Sequence, residues 1–161
     1  MEVEEETLFV GTAESEHTEM YLKAIWCIYE YDQYCRVNSI AKMLHIREPS
    51  VIQMLKKLRD KKFVIYNKAG VTLTEDDERI GASMMRNSRL LEVLMDSALK
   101  VEIDEEMVCG IEHHMNKQFT DTLCTMLNHP RKCPHDNSIP RGKCCKEWWR
   151  QIHYLAYMRW W

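Results

Sequence analysis

The segment at residues 38–73 constrains the fold more than any other part of the sequence. Asn38 or Ser39 can cap a short helix, and Pro49 suits the first turn of a second helix, because an N–H group in that turn has no partner inside the helix. Residues 63–73 follow as strand, turn and strand. Two short helices with a tight connection and a trailing hairpin are typical of a winged helix-turn-helix.

The rest of the chain reads as helix. Five glycines and four prolines in 161 residues supply too few turns for a β-sandwich or β-barrel. Apolar residues recur at helical spacing over 16–34, 74–99, 104–116 and 117–127. We therefore predict a mainly α protein, a winged helix-turn-helix followed by an all-helical domain. The expected divisions are an acidic flexible N-terminus at 1–15, the winged helix-turn-helix at 16–74, the helical domain at 75–140 and a helical, Cys- and Trp-rich tail at 141–161.

The formal net charge of −3 conceals an uneven distribution of charge. Residues 36–68 carry nine lysines and arginines against two acidic residues, a net charge of +7, whereas residues 1–35 carry −8 and residues 69–128 carry −7. A compact basic block between acidic segments is typical of a small nucleic-acid-binding unit. The alternative is a solvated, lysine-rich helix face. Because the basic block coincides with the winged helix-turn-helix, DNA binding is favoured.

The seven cysteines exclude a fully paired set of disulfides within one chain, because the count is odd. The acidic start does not read as a secretory signal, and no apolar run reaches the length of a membrane-spanning helix. We expect a cytoplasmic protein with no stable membrane association, whose thiols are free or metal-bound.

Three side chains that bind transition metals share one helix face. Cys109, Glu112 and His113 stand at positions i, i+3 and i+4, so they project in one direction. Thiolate, carboxylate and imidazole are the three ligand types that proteins offer to transition metals. The pattern indicates a metal site, and the alternative is a buried cysteine beside a solvated Glu–His pair.

Several short motifs occur in one order along residues 15–140. They lie at 18–22, 40–41, 49–51 with Gln53, 73–74, 109–113 and 133–140. In this order they resemble the diphtheria toxin repressor family of metal-dependent transcriptional regulators, which includes iron and manganese sensors. The resemblance implies a homodimer in which the helical domain serves metal binding and dimerisation.

The resemblance implies a primary metal site with one ligand from the first helix and three from the metal helix. These positions match Met20, Cys109, Glu112 and His113. Met20 and Cys109 at the variable positions resemble the iron-sensing branch, and sulfur ligands favour Fe²⁺ over Mn²⁺. Residues 110–114 are similar to the manganese regulators instead, so Mn²⁺ is the alternative. The implied function is a repressor of metal-uptake genes that binds a palindromic double-stranded DNA operator as a dimer when Fe²⁺ is bound.

The family's second metal site is altered in this sequence. A histidine of the long helix is replaced by Ser88, its glutamate partner is kept as Glu92, and the other histidine position holds Glu105. The resemblance therefore implies at best a weak carboxylate site at Glu92 and Glu105.

The resemblance also assigns DNA contacts to the second helix of the helix-turn-helix and to the start of the hairpin. The expected DNA-binding residues are Arg47, Pro49, Ser50, Gln53, Lys56, Lys57 and Lys62. Gln53 can read adenine and Pro49 can touch a thymine methyl group, whereas the basic side chains mainly anchor phosphates.

Four cysteines lie toward the end of the chain, at Cys124, Cys133, Cys144 and Cys145. Their spacing is not a standard zinc-ribbon pattern, and an adjacent cysteine pair is awkward for one tetrahedral ion. Free or redox-sensitive thiols are the alternative to a Zn²⁺ ion or an iron–sulfur cluster here. Residues 146–161 are rich in Trp and Tyr and predict a helix docked on the helical domain.

Two other classes of function stay open at this point. Cys109 with His113 suits a thiol-dependent or metal-dependent enzyme, but no third orienting group or oxyanion hole accompanies the pair. We therefore predict that the chain is not an enzyme. A metal buffer that does not bind DNA is the remaining class.

Overall fold

The computed structural model describes residues 13–32 and 34–145, with side chains from Ser15 onward. The described chain is mainly helical, as predicted, and divides into two compact units, one ending at Asp77 and the other beginning at Glu78. The predicted domain limits stay predictions, and those for residues 1–12 and 146–161 lie outside the described residues. No helix among the described residues has the length and apolar character to cross a lipid bilayer.

The N-terminal unit is the predicted winged helix-turn-helix. It contains α1 (Ala13–Tyr31), α2 (Val37–Met43), α3 (Glu48–Asp60), β1 (Val64–Asn67) and β2 (Gly70–Leu73). The two strands pair antiparallel to form the wing, with Val64 opposite Leu73 and Asn67 opposite Gly70.

One apolar core joins the helices of this unit to its wing. Ile25 of α1, Ile40 of α2, Leu55 of α3 and Val71 of β2 are all fully buried in it. Burying an aliphatic side chain of this size contributes about 1.5–3 kcal/mol. Because the inward residues of α3 recur every three to four positions, the opposite face of that helix is left to solvent.

The predicted start of α3 is confirmed, whereas the predicted start of α2 is wrong. Pro49 lies in the first turn of α3, as predicted. The cap predicted for α2 is wrong, because the helix already begins at Val37 and no side chain caps it at Arg36. Asn38 and Ser39 therefore lie inside its first turn.

Two hydrogen bonds and one close backbone approach fix the wing to neighbouring segments of the N-terminal unit. Gly70 has a φ of +138°, and a Cβ there would lie 2.7 Å from the backbone oxygen of Cys35. The N–H of Val71 donates to that same oxygen over 3.0 Å, and the Tyr29 hydroxyl donates to the Val71 carbonyl over 2.6 Å. The wing is thus bonded both to α1 and to the segment before α2.

Most of the C-terminal unit up to residue 126 is helical, and residues 143–145 are helical again. It contains most of α4 (Glu75–Val93), a π-helical segment (Leu94–Leu99), α5 (Glu105–Glu112) and α6 (Lys117–Met126). The long helix predicted to reach Leu99 therefore changes its hydrogen-bonding pattern at Leu94, and it ends at Lys100, whose backbone is left-handed. Residues 127–145 contain one isolated β-bridge, between Lys132 and Ser138.

A run of polar residues on α4 is buried inside this unit. Arg86, Asn87, Ser88 and Arg89 are each less than a tenth exposed, beside the apolar residues Leu90 and Leu91. Burying a polar group costs free energy unless the group is hydrogen-bonded. The hydrogen-bond partners of these residues therefore identify the segments that α4 contacts.

Candidate metal centres and DNA-facing surface

The structure brings together the three predicted metal ligands of α5. The donor atoms of Cys109, Glu112 and His113 all lie within 4.8 Å of one another. Glu112 is fully buried, His113 Nε2 lies 3.7 Å from Glu112 Oε1, and the Cys109 side chain is partly exposed. The three donors therefore face one point at the end of the helix.

Hydrogen bonds fix both ends of α5. Asp104 caps its start by accepting a bond from the Met107 N–H over 2.9 Å. At the other end the Asn87 amide donates to the Glu112 carbonyl over 3.1 Å, and the Thr120 hydroxyl donates to the Asn87 side-chain oxygen over 2.7 Å. The turn that carries two of the three candidate ligands is thus held by α4 and α6.

The chemistry of this donor set fits a divalent transition metal. Burying a carboxylate as fully as Glu112 is costly, and an ion bound beside it would offset part of that cost. Thiolate and imidazole donors suit iron and zinc, whereas carboxylates suit manganese as well.

Met20 is a predicted ligand on another helix, and His114 follows His113 in the sequence. Met20 lies on α1, in the N-terminal unit, and is partly buried there. Its role as a ligand stays a prediction. His114 is exposed and its Nδ1 lies 3.1 Å from the Gly110 carbonyl, outside the α5 ligand group.

The donors beside Glu92 are not the one predicted from the sequence, which was Glu105. The structure groups Glu92 with Cys133 and His135, with all donor atoms within 4.8 Å, and His135 Nδ1 lies 3.1 Å from Glu92 Oε2. Glu105 is exposed in the first turn of α5 and does not belong to this group. Burial and the neighbouring Glu92 carboxylate raise the pKa of the Cys133 thiol.

The thiols near the end of the described chain also group differently from the prediction. Cys124, Cys144 and Cys145 lie together, but Cys133 belongs with Glu92, and His129 completes the cluster instead. His129 lies between these cysteines in the sequence but was not among the predicted ligands, although its position five residues after Cys124 at the end of a helix was a usable signal. Burial raises the pKa of the Cys124 thiol, and it raises that of Cys144 to about 12.

All seven residues predicted to contact DNA are exposed in the N-terminal unit. Six lie on α3 or directly before it, and Lys62 lies between α3 and the wing. Their exposure follows from the helix period, because Val51, Leu55 and Leu58 take the buried face of α3. A basic helix face beside a hairpin suits the major groove and the phosphates that flank it.

Two family models match the chain, one over each unit. The model described as the N-terminal DNA binding domain of iron dependent repressors matches residues 14–71. The model described as their metal binding and dimerisation domain matches residues 74–141.

Individual relatives agree with these matches. The HTH-type transcriptional regulators MntR of Bacillus velezensis and Bacillus subtilis are each 30% identical over 116 residues, which cover 69% of this chain and 80% of theirs. The solved structure of the manganese regulator SloR has a TM-score of 0.67 and 33% sequence identity over 76% of this chain. The chain spans 59% of the length of that structure.

Proposed function

The chain belongs to the iron-dependent repressor family of metal-dependent transcriptional repressors, and from this premise we propose that it is an Fe²⁺-responsive repressor of metal-uptake genes. Membership in a family of regulators confirms the prediction that the chain is not an enzyme, and it also sets aside a metal buffer that does not bind DNA. The observation that carries the proposal is the convergence of Cys109, Glu112 and His113 at the end of α5.

The choice of Fe²⁺ depends on sulfur ligands. Cys109 offers a thiolate, and Met20, the fourth ligand in our proposal, offers a thioether. Both suit Fe²⁺ better than Mn²⁺. Mn²⁺ is the competing ion, because SloR is a manganese regulator.

Metal binding is coupled to DNA binding through the fourth ligand in this proposal. Cys109, Glu112 and His113 belong to the C-terminal unit, whereas Met20 belongs to α1 of the DNA-binding unit. A bound ion supplies a shared coordination sphere. Coordination of the ion by Met20 then favours the DNA-competent arrangement of the protein. The ion shifts the equilibrium between two arrangements by the difference in its affinity for them.

The DNA-binding unit acts as one half of a dimer on a palindromic operator in the cytoplasm. Two recognition helices reach successive major grooves when they are about 34 Å apart, which is one turn of B-DNA. Gln53 reads adenine on its two hydrogen-bonding positions and Pro49 contacts a thymine methyl group. Lys56, Lys57 and Lys62 anchor phosphates and set the salt dependence of binding.

Glu92, Cys133 and His135 form a second candidate ion site in place of the pair Glu92 and Glu105. Their mixed oxygen, sulfur and nitrogen donors match the ligand types of the α5 site. We expect the Glu92→Ala chain to bind one regulatory ion fewer than the wild type.

An anaerobic binding titration tests the regulatory function. DNA fragments are first selected from random sequence with the Fe²⁺-loaded protein, and binding is then measured against Fe²⁺, Mn²⁺ and Zn²⁺. The wild type is expected to need metal, and Cys109→Ser and Glu112→Gln are expected to need at least tenfold more. The control is His114→Gln, which changes an exposed neighbour of the same ligands. Operator binding of equal strength with and without metal would contradict the proposal.

The identity of the ion and the coupling have separate tests. Cys109→Glu replaces sulfur by a carboxylate and is expected to move the preference from Fe²⁺ toward Mn²⁺. If the wild type already responds to Mn²⁺ at lower concentration than to Fe²⁺, the iron assignment is wrong. A Met20→Ala protein that needs the same metal concentration as the wild type would refute the coupling role of Met20.

A further inference from the structure

Four metal-binding side chains outside the α5 site converge in the C-terminal unit, and we propose that they hold a structural zinc ion. They are Cys124, His129, Cys144 and Cys145, here called the Cys3His cluster. Their donor atoms all lie within 4.8 Å of one another, and three of the four residues are buried. The proposal does not depend on which ion the regulatory sites take.

The distances within the cluster match those around one tetrahedral ion. Cys124 Sγ lies 3.6 Å from His129 Nδ1 and 3.7 Å from Cys145 Sγ, and the sulfurs of Cys144 and Cys145 are 3.9 Å apart. Tetrahedral zinc with Zn–S bonds of about 2.3 Å and a Zn–N bond of about 2.0 Å separates two sulfurs by about 3.8 Å and a sulfur from a nitrogen by about 3.5 Å. These three distances match that spacing, and the other three pairs of donor atoms lie within 4.8 Å, as four ligands of one ion require.

The same distances disfavour the other uses of these thiols. A disulfide needs sulfurs about 2.05 Å apart, and no disulfide joins any of the described cysteines. The ligands of an iron–sulfur cluster bind different irons and are therefore spread around a wider centre, whereas these four donors all lie within 4.8 Å of one another. Three cysteines and one histidine in a closed, buried setting are a usual ligand set of structural zinc.

The backbone turns sharply to bring His129 to Cys124. Asn128 and His129 both have left-handed backbones, with φ values of 60° and 53°. The His129 N–H donates to the Cys124 carbonyl over 2.8 Å, which folds the chain back over the end of α6. Non-glycine residues adopt this conformation at a cost, so two in succession need surrounding interactions that hold them there. A shared ion on Cys124 and His129 is such an interaction.

Arg86 supports the cluster from α4. Its Nη2 donates to Cys144 Sγ over 3.0 Å while its Nη1 donates to Asp121 over 2.8 Å. Three thiolates and Zn²⁺ carry a net charge of −1, and a buried guanidinium bonded to one of the sulfurs offsets it. A Cβ at Gly142 would collide with this guanidinium, so a larger residue there would displace Arg86 from Cys144.

The cluster closes a loop that carries a second set of ligands. Cys133 and His135 lie between His129 and Cys144, and in space they lie against Glu92. Loops of this length without regular structure are uncommon in compact domains unless something holds them. Zinc bound at both ends of the loop therefore stabilises the C-terminal unit and positions Cys133 and His135.

Zinc analysis of the full chain tests the proposal. The protein is washed with EDTA to remove weakly held ions, and the remaining metal is counted by mass spectrometry. We expect one zinc per chain in the wild type, and at least a tenfold loss in Cys124→Ser and Cys145→Ser. The matched controls are Cys109→Ser and Cys133→Ser, which remove thiols from the other two groups and are expected to retain the ion.

A second measurement decides the outcome if a cysteine variant does not fold. The Cys109→Ser/Cys133→Ser double variant is prepared with Co²⁺, and its spectrum is expected to show tetrahedral cobalt with charge-transfer absorption from three thiolates. The absence of this absorption would overturn the proposal. So would wild-type protein with no EDTA-resistant zinc, a disulfide between Cys124 and Cys145 in freshly purified protein, or folded Cys124→Ser and Cys145→Ser chains that keep the full zinc content.

Discussion

The side-chain amide of Asn87 on α4 donates a buried hydrogen bond of 3.1 Å to the backbone carbonyl of Glu112 on α5. The last carbonyls of a helix have no partner within the helix, so this bond satisfies one of them. The Thr120 hydroxyl donates to the other end of the same amide over 2.7 Å. One asparagine therefore links three helices at the turn that presents the candidate metal ligands.

Asn87→Ala is expected to weaken both folding and metal binding. It removes two buried hydrogen bonds, each of which contributes about 0.5–1.5 kcal/mol to the unfolding free energy. The Glu112 carbonyl still accepts from the Met115 N–H, and the Thr120 hydroxyl can still donate to the Asn116 carbonyl. We also expect the dissociation constant for the α5 ion to rise by about tenfold, because groups that orient ligands have effects of this size. Urea unfolding and anaerobic titration measure the two effects, with exposed Thr122→Ala on α6 as the control. An unchanged dissociation constant would show that the bond serves folding alone.

Two substitutions on α3 are expected to separate base reading from phosphate binding. Gln53→Ala is expected to cost about 1–3 kcal/mol on the selected operator and to relax the preference at one base pair. Lys57→Ala is expected to weaken binding to all sequences alike and to lower the slope of log affinity against log salt by about 0.9. Fluorescence anisotropy over a series of salt concentrations measures both. Equal loss on operator and unrelated DNA for Gln53→Ala would contradict its base-reading role.

The hydroxyl of Tyr29 is expected to stabilise the wing. Tyr29→Phe removes its 2.6 Å bond to the Val71 carbonyl and keeps the ring, so a loss of about 0.5–1.5 kcal/mol in unfolding free energy is expected. The matched control is Tyr34→Phe, because Tyr34 is about two-thirds exposed. If both variants have the same stability, the bond to Val71 contributes nothing.

Asp121 gives the metal-free protein part of its acid sensitivity. Burial acts to raise its pKa, but the hydrogen bonds to Arg86 and Cys144 and the positive charges of Arg86 and Lys117 together outweigh burial and hold the pKa of Asp121 below the usual 3.8. A carboxyl whose pKa is lowered by folding stabilises the protein above 3.8, and this contribution is lost as the pH falls toward the folded value.

We therefore expect Asp121→Asn to be less stable than the wild type at neutral pH and to lose less stability on acidification. Urea unfolding of protein freed of zinc by denaturation and refolding in EDTA, at neutral pH and at about pH 3, checks this. The exposed Asp136→Asn serves as the control, since surface pairs contribute little. Parallel pH profiles for the wild type and Asp121→Asn would contradict the prediction.

Local patterns predicted the parts of the fold that depend on local physics. The apolar spacing around Leu55 and the placement of Pro49 identified α3, and the spacing of Cys109, Glu112 and His113 placed three donors on one helix face. These features follow from the helix period, which is readable in a single sequence. The hairpin was readable from two short apolar runs separated by turn residues.

Contacts between distant segments were not readable in this way. The partner of Glu92 was sought at Glu105, but the donors that reach it are Cys133 and His135, about forty residues away in sequence. Likewise, His129 and not Cys133 lies with Cys124, because the left-handed turn at residues 128–129 brings the His129 side chain to Cys124. Tertiary packing sets such pairings, and no local pattern encodes it.

The buried polar run of α4 makes the length of this helix as important as its composition. Arg86 faces the Cys3His cluster, Asn87 faces the end of α5, and Glu92 faces Cys133 and His135. One residue deleted upstream within the helix would rotate all three side chains by about 100°, since a turn takes about 3.6 residues. All three contacts would then be lost together, whereas a point substitution removes only one of them. We therefore expect insertions and deletions in α4 to be the most damaging changes of their size in the C-terminal unit.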